Sequence, residues 1–321
     1  IKVAVEFYQG VFSKEVGEQF RNLLNPDLIV NAEDSMHEEE DIWKMVYPDV
    51  TDNRIFGYLT RLTIDRYYDK QKIEATRQKI DRQNEGLVVV FGTGATLVCD
   101  DYDLLVYADM ARWEIELRMR RHEVDNLGVN NRHTEDWILL YKQGYFVDWR
   151  VCDRLKKQLF DKIDFVLDTN DKTRPKMLSN ETVLEGYKKA VNRPFSVVPY
   201  FDEGPWGGQW MKEVCDLDRS KENYAWSINN IPEENSLLFK IGNEYFELPS
   251  VNVVFKHPRE LLGDPVHGRF GDEFPIRFDF LDTMDGGNLS LQVHPLTEYI
   301  QEQFGMHYTQ DESYYLLDAG P

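Results

Sequence analysis

Residues 289–317 read LSLQVHPLTEYIQEQFGMHYTQDESYYLL. The first part alternates, and alternation is the pattern of a half-buried strand: Leu289, Leu291 and Val293 face one way, Ser290, Gln292 and His294 the other. Pro295 has no N–H to give a ladder and marks the end of that strand. After an amphipathic connection, residues 311–317 predict a second strand with Glu312 and Tyr314 on one face. Side by side, the two strands would bring together an imidazole, an amide oxygen and a carboxylate. Such a set suits a borderline cation such as Zn2+, with Gln292, His294 and Glu312 as ligands. A lone histidine on a strand is more often a satisfied surface or core residue, so the metal reading needs support from elsewhere in the chain.

That support comes from three segments upstream, in order. They are Pro205-Trp206-Gly207-Gly208, residues 224–238, and residues 274–282 before the 289–294 stretch. Together with SLQVHP and the Glu312 of ESYYLL, they resemble type I mannose-6-phosphate isomerases over residues 193–321. The resemblance implies a zinc-dependent cupin, a jelly-roll β-barrel, that interconverts mannose 6-phosphate and fructose 6-phosphate through a cis-enediol. It departs from the family in two ways. Members carry a further histidine ligand and a catalytic arginine downstream of the glutamate, and the chain ends at Pro321 before either; a C-terminal truncation is therefore expected, and no catalytic base is assigned. Many members have a lysine two residues before the glutamate, where Gln310 stands, which leaves Ser290 and Arg277 as candidates for substrate contact.

Composition sets outer limits. A chain of 321 residues exceeds what one hydrophobic core usually serves, so two domains are expected. Its formal charge of −20 and pI near 4.8 argue against nucleic acid and anionic membrane as partners, because both require clustered Lys and Arg. There is no apolar run of spanning length and no basic segment leading into an apolar core, so a cytoplasmic protein acting on a small sugar phosphate is the expectation. Cys99, Cys152 and Cys215 are widely spaced and odd in number, which suits unpaired thiols in a reducing compartment. Oligomeric state is not legible.

Residues 1–192 alternate strands and helices. IKVAVEF, DLIVNAE, GLVVVFG, DLLVYAD and IDFVLDT predict strands. Residues 13–24 (with Ser13 as N-cap), 37–46, 65–82, 111–126, 151–160 and 179–191 predict helices. Such alternation implies crossover units and a parallel sheet covered on both faces. The order of elements resembles a P-loop nucleoside kinase of the uridine kinase type, with EFYQGVFSKE in the phosphate-loop place, Asp34 as the acid after the second strand and VVVFGTGATL as the next turn. A working phosphate loop needs several glycines, then Lys and Ser or Thr. Only Gly10 is present and Ser13-Lys14 stands in reverse order, so the domain is expected to be degenerate and not to transfer phosphate. Arg112, Arg118, Arg120 and Arg121 interleave with Glu114, Glu116 and Glu123, the pattern of a salt-bridged helix rather than a phosphate site.

Near residue 192 the chain changes to Pro- and Gly-rich sequence and short strands. The expected architecture is thus α/β plus β: residues 1–192 a P-loop-kinase-like domain, residues 193–321 the first part of a cupin barrel. Two rival functions remain beside the isomerase. One is a non-catalytic, metal-bound sugar-phosphate sensor or scaffold; the other is an atypical nucleoside or sugar kinase in residues 1–192.

Overall fold

The computed structural model describes residues 1–319. The chain divides into two compact units, one made of Ile1–Ala190 with Phe239–Leu248, the other of Val191–Leu238 and the chain after residue 248.

The first unit is a mixed α/β fold. Its strands are β1 (Lys2–Phe7), β2 (Leu28–Asn31), β3 (Val88–Gly92), β4 (Leu104–Asp109), β5 (Phe165–Asp168) and β6 (Lys176–Ser179). They form one sheet in the order β2-β3-β1-β4-β5-β6. All neighbours are parallel except β5 and β6, which pair antiparallel at the edge. The helices are α1 (Ser13–Leu24), α2 (Glu39–Val50), α3 (Lys70–Arg82), α4 (Ala95–Val98), α5 (Arg112–Arg120), α6 (Trp137–Gln143), α7 (Trp149–Leu159) and α8 (Asn180–Val191).

Strand β3, VVVFG, is wholly buried, which a strand covered on both faces must be. Val88 and Val90 belong to the core that includes Ile42 and Val46 of α2 and Ile80 of α3. Phe91 points the other way, against Phe7 and the Gly17 position of α1. Side chains alternating across a strand therefore feed two separate helical layers. The C-terminal ends of β1, β3, β4 and β5 lie along one rim of the sheet, where open α/β sheets place their ligands.

Three local expectations change. Helix α1 begins where expected, but Ser13 does not cap it: its Oγ donates to Glu33 Oε1 at 3.1 Å and the N-cap position falls to Phe12. The helix predicted from residue 65 starts at Lys70, because Asp69 accepts from the backbone N–H groups of Gln71 and Lys72 and supplies a better cap. The helix predicted over 111–126 stops at Arg120, and His122 follows in left-handed backbone at φ +56°.

The first unit also takes in a hairpin from far along the chain, made by β9 (Ser236–Ile241) and β10 (Glu244–Pro249). Phe239 packs on Tyr187 of α8 with ring centroids 5.7 Å apart. Arg174 pairs with Glu244 at 3.0 Å. At the end of β5, Asp168 Oδ2 accepts from the Glu247 N–H at 2.9 Å, and Asn170 Nδ2 donates to the Glu247 carbonyl at 2.8 Å. Asn170 Oδ1 in turn accepts from the Ala111 N–H at 2.8 Å, so one side chain ties the hairpin to the start of α5.

In the second unit, β7 (Tyr200–Asp202), β8 (Trp226–Asn230) and β11 (Phe278–Leu281) form a three-stranded sheet in the order β11-β8-β7, antiparallel throughout. Short helices α9 (Trp210–Val214), α10 (Val251–Lys256), α11 (Pro258–Leu262) and α12 (Asp264–Phe270) precede β11, and α13 (Thr297–Phe304) follows it. This corrects the expected architecture of residues 193–321: the described residues show this small sheet and not a cupin barrel. The two strands expected over 289–294 and 311–317 are absent as well. Alternation specifies a strand only where a neighbour takes its N–H and C=O groups and a layer covers its apolar face. Here Leu291 is 94% exposed and Val293 87%, so that covering layer is missing.

Among the described residues no helix is long and apolar enough to cross a membrane.

Candidate functional site

The phosphate-loop place of the first unit is filled from within. Residues 8–11 are buried, and the loop turns at Gly10 (φ +98°), where an added Cβ would sit 2.9 Å from Ile115. The Gln9 side chain accepts from Trp149 Nε1 at 2.9 Å and donates to the Asp125 carbonyl at 2.8 Å. Arg118 Nη1 donates to the Gly10 carbonyl and Nη2 to that of Thr169, both at 2.8 Å, while its guanidinium lies over the Phe12 ring. One arginine thereby straps the loops after β1 and β5 together. Lys14, the nearest cation in sequence, is exposed.

Two carboxylates hold the neighbouring turns. Glu6, fully buried, accepts from the N–H of Gly94 and from both the N–H and the hydroxyl of Thr96. Burial pushes its carboxyl up to about 7 even against those three donors. Glu33 accepts from the Thr93 N–H and from Ser13, and burial raises it too. Asp34, read as the acid after the second strand, is exposed, and Glu33 beside it makes the contacts to the neighbouring turn. The backbone donors of Thr93, Gly94 and Thr96, in the turn after β3, are thus engaged by side chains of the protein.

Behind this rim lies a buried ionic cluster. Arg112 Nη2 donates to Asp153 Oδ2, Arg112 Nε to the Tyr8 hydroxyl at 3.1 Å, and Tyr8 to Asp153 Oδ1 at 2.9 Å. Lys156 pairs with Asp109 at 2.8 Å and sits over the Tyr8 ring. Burial acts to raise Asp153, but the Arg112 guanidinium, with Lys156, outweighs it and holds the carboxyl below its ordinary range. Of the α5 arginines, Arg118, Arg120 and Arg121 pair with glutamates on or just beyond their own helix, as their spacing predicts. Arg112 turns inward instead, to a partner 41 residues away that no local pattern could reveal.

In the second unit the metal expectation meets a definite geometry. Helix α13 ends at Gly305 in left-handed backbone (φ +63°) and the chain doubles back, so that Thr309 Oγ1 donates to the Pro295 carbonyl at 2.6 Å. This return sets His294 Nε2 2.6 Å from Glu312 Oε2. The Tyr314 hydroxyl donates to Glu312 Oε1. Those donors, Tyr314 first, hold the Glu312 carboxyl below its usual range. Asp279 of β11 lies within reach of the same charge; burial and then Glu312 push its carboxyl up. An imidazole nitrogen and a carboxylate oxygen are the donor types a borderline cation accepts, so the pair fits zinc in kind. It supplies two positions. Among the described residues no group of three or more His, Cys, Asp or Glu side chains is placed to hold a metal ion.

The other expected site residues fare differently. Gln292 and Ser290 are exposed on the same segment, and no hydrogen bond joins either to the pair. Arg277, a candidate for substrate contact, is turned to protein groups: Nη2 donates to Glu233 Oε1 at 2.8 Å, and Nη1 to the carbonyls of Phe274 and Ile276. The Pro205–Gly208 motif does structural work. Gly208 donates to the carbonyls of Tyr224 and Asp282, an added Cβ there would lie 2.2 Å from Asp282 Oδ1, and Trp206 stacks edge-on against Trp226. Of the three upstream segments of the resemblance, two pair with each other as β8 and β11, and Gly208 bonds to both from outside the sheet. Sequence reasoning missed Asp279 as a neighbour of Glu312, because it comes from β11, more than thirty residues earlier. Tyr314, read as sharing a face with Glu312, does meet it.

Solved structures with similarity to this chain include a shikimate kinase from Bacteroides thetaiotaomicron, at 10% identity and a TM-score of 0.32 over 60% of this chain and 99% of that one. A gluconokinase from Sinorhizobium meliloti 1021 aligns at 15% identity and a TM-score of 0.27 over 50% of this chain and 96% of its own. At those scores neither likeness carries weight for function. No curated protein matches. One family model does match, over residues 2–192, and the chain belongs to that family, described as "Domain of unknown function (DUF8485)".

Proposed function

We propose that the second unit carries part of a metal-dependent aldose-ketose isomerase site acting on a sugar phosphate, mannose 6-phosphate and fructose 6-phosphate being the pair that the sequence resemblance implies. The observation that carries the reading is the 2.6 Å approach of His294 to Glu312, which joins two segments 18 residues apart through a helical return. His294 and Glu312 would hold the ion. A divalent metal when bound supplies Lewis-acid stabilisation to the oxygens of an enediolate. What the chain's own residues do is hold two donors of the right type together and keep Glu312 ionised. Replacing His294 with Ala should abolish stoichiometric zinc binding, and full metal content in that variant would refute the assignment. The activity expected is conversion of mannose 6-phosphate, lost to a chelator and restored by zinc.

A second reading places a kinase in the first unit, and one observation favours it: the sheet there is the parallel-dominated type that the P-loop resemblance implies, whereas a cupin barrel is not seen. The solved structures named above are kinases and neither is an isomerase, though their scores weigh for neither reading. Against it stand the buried loop at Gln9 and Gly10 and the exposed Lys14. Calorimetric titration with ATP separates the two readings: heat with a defined stoichiometry supports the kinase, and none discards it.

A further inference from the structure

Polar atoms shut away from solvent without a partner are rare in folded proteins, and each calls for an explanation. Three of them surround one turn of the first unit. Between α6 and α7 the helix widens into a π-turn, Gly144–Asp148, where the Trp149 N–H reaches back to the Gly144 carbonyl. A π-turn stacks residues five apart, which an α-helix would set about 140° apart, so Gln143 and Asp148 come to one side of it. Gln143 lies close enough to favour the ionised form of Asp148. Tyr67, from the short helical turn Ile64–Tyr67, packs in the same core as Val147 and Val151, and the charge of Asp148 acts on its hydroxyl. Tyr67 and Asp148 are 0% exposed and Gln143 1%. Asp148 Oδ2 accepts from the Asn126 side chain at 2.7 Å and from the Leu127 N–H at 3.1 Å. Asp148 Oδ1, Tyr67 Oη and Gln143 Nε2 make no hydrogen bond within the protein.

These three atoms are chemically complementary. Tyr67 Oη and Gln143 Nε2 have protons to give, whereas an ionised carboxylate oxygen only accepts. Water has two lone pairs and two protons, and a buried water makes about three hydrogen bonds to groups of this kind. We propose that Tyr67, Gln143 and Asp148 form a binding site for one internal water, which accepts from Tyr67 Oη and Gln143 Nε2 and donates to Asp148 Oδ1. Through that water the turn before α3 is joined to the π-turn. Through its other oxygen the same carboxylate joins the π-turn to residues 126–127, next to the Asp125 carbonyl that Gln9 holds. One side chain thus ties together three segments that are far apart in the chain.

The experiment is a crystal structure of the whole chain grown at about pH 8, above the value of about 7 to which burial pushes Asp148, together with urea unfolding of the wild type, Tyr67→Phe and Gln143→Met. The expected crystallographic result is one ordered water within about 3 Å of all three atoms. Each variant keeps the size of its side chain and removes one hydrogen bond to the water, so its unfolding constant should rise about 3- to 10-fold. A dry site predicts the opposite sign, because an unpartnered hydroxyl or amide in the interior destabilises the folded state and its removal would lower the constant. An unchanged or smaller constant in either variant therefore overturns the proposal. So does a crystal structure in which the three atoms bond directly to one another with no solvent between them, an arrangement that the unfolding data alone would not separate from a bridging water.

Discussion

Removing the Asp153 carboxylate should be the most damaging single change in the first unit. Asp153 accepts from Arg112 and from the Tyr8 hydroxyl, and the side chains of Arg112 and Asp153 are 1% and 7% exposed. In Asp153→Ala the guanidinium is left buried without its counter-charge, which costs about 3–5 kcal/mol, and the Tyr8 hydroxyl loses its acceptor, adding about 1 kcal/mol. That is a large part of the about 5–15 kcal/mol by which a domain is stable. Tyr8→Phe removes two hydrogen bonds to charged groups, the one donated to Asp153 and the one accepted from Arg112, each worth about 1.5–3 kcal/mol. The joint change Arg112→Met with Asp153→Leu should cost less than Asp153→Ala, because desolvating the ion pair offsets most of its Coulomb attraction, leaving about 1–3 kcal/mol for the unpartnered Tyr8 hydroxyl. Urea unfolding followed by far-ultraviolet circular dichroism measures the loss, and amide exchange in β1 and β4 assigns it to this unit. A cost below about 1 kcal/mol for Asp153→Ala would refute the argument, since it would mean that Arg112 finds water when its partner is gone.

Two further outcomes are expected. Glu6 and Asp148 are both fully buried, and burial pushes each carboxyl up to about 7 from ordinary values of 4.5 and 3.8. The folded state therefore binds more protons than the unfolded one between those values, and each group's contribution is full below the ordinary value and lost as pH rises through about 7, up to about 3 kcal/mol for Glu6 and about 4 kcal/mol for Asp148. Asp153, held below its ordinary value, contributes in the opposite sense and is lost only in strong acid. Denaturant midpoints should thus fall from pH 5 to pH 7.5, and a rise across that window would contradict the burial argument. Separately, Asn170→Ala deletes bonds to the Glu247 carbonyl, to Asp168 and from the Ala111 N–H, so it should cost about 2–3 kcal/mol and speed amide exchange in residues 239–248. Unchanged protection of the hairpin would show that Phe239 and Arg174 hold it without the Asn170 clasp.

The sequence by itself determined what depends on neighbours within a few residues. Hydrophobic runs such as VVVFG and the periodic spacing of residues such as 13–24 and 151–160 placed β1 to β5 and the longer helices of residues 1–192, though not β6, α4 or α6, because periodicity is a local property. It also expected His294 and Glu312 to come together, and their side chains do meet. Tertiary structure decided everything that needed a distant partner: Ser13 turning to Glu33 instead of capping its helix, Glu33 rather than Asp34 facing inward, and Arg112 meeting Asp153. The same holds for the hairpin at 239–248, whose destination is set by Asp168 and Asn170 some seventy residues earlier. It holds most clearly for residues 289–294. Their alternation is as regular as any in the chain, yet a strand is a relation between two segments, and without a neighbour to complete its hydrogen bonds that pattern left an extended stretch whose leucine and valine face outward.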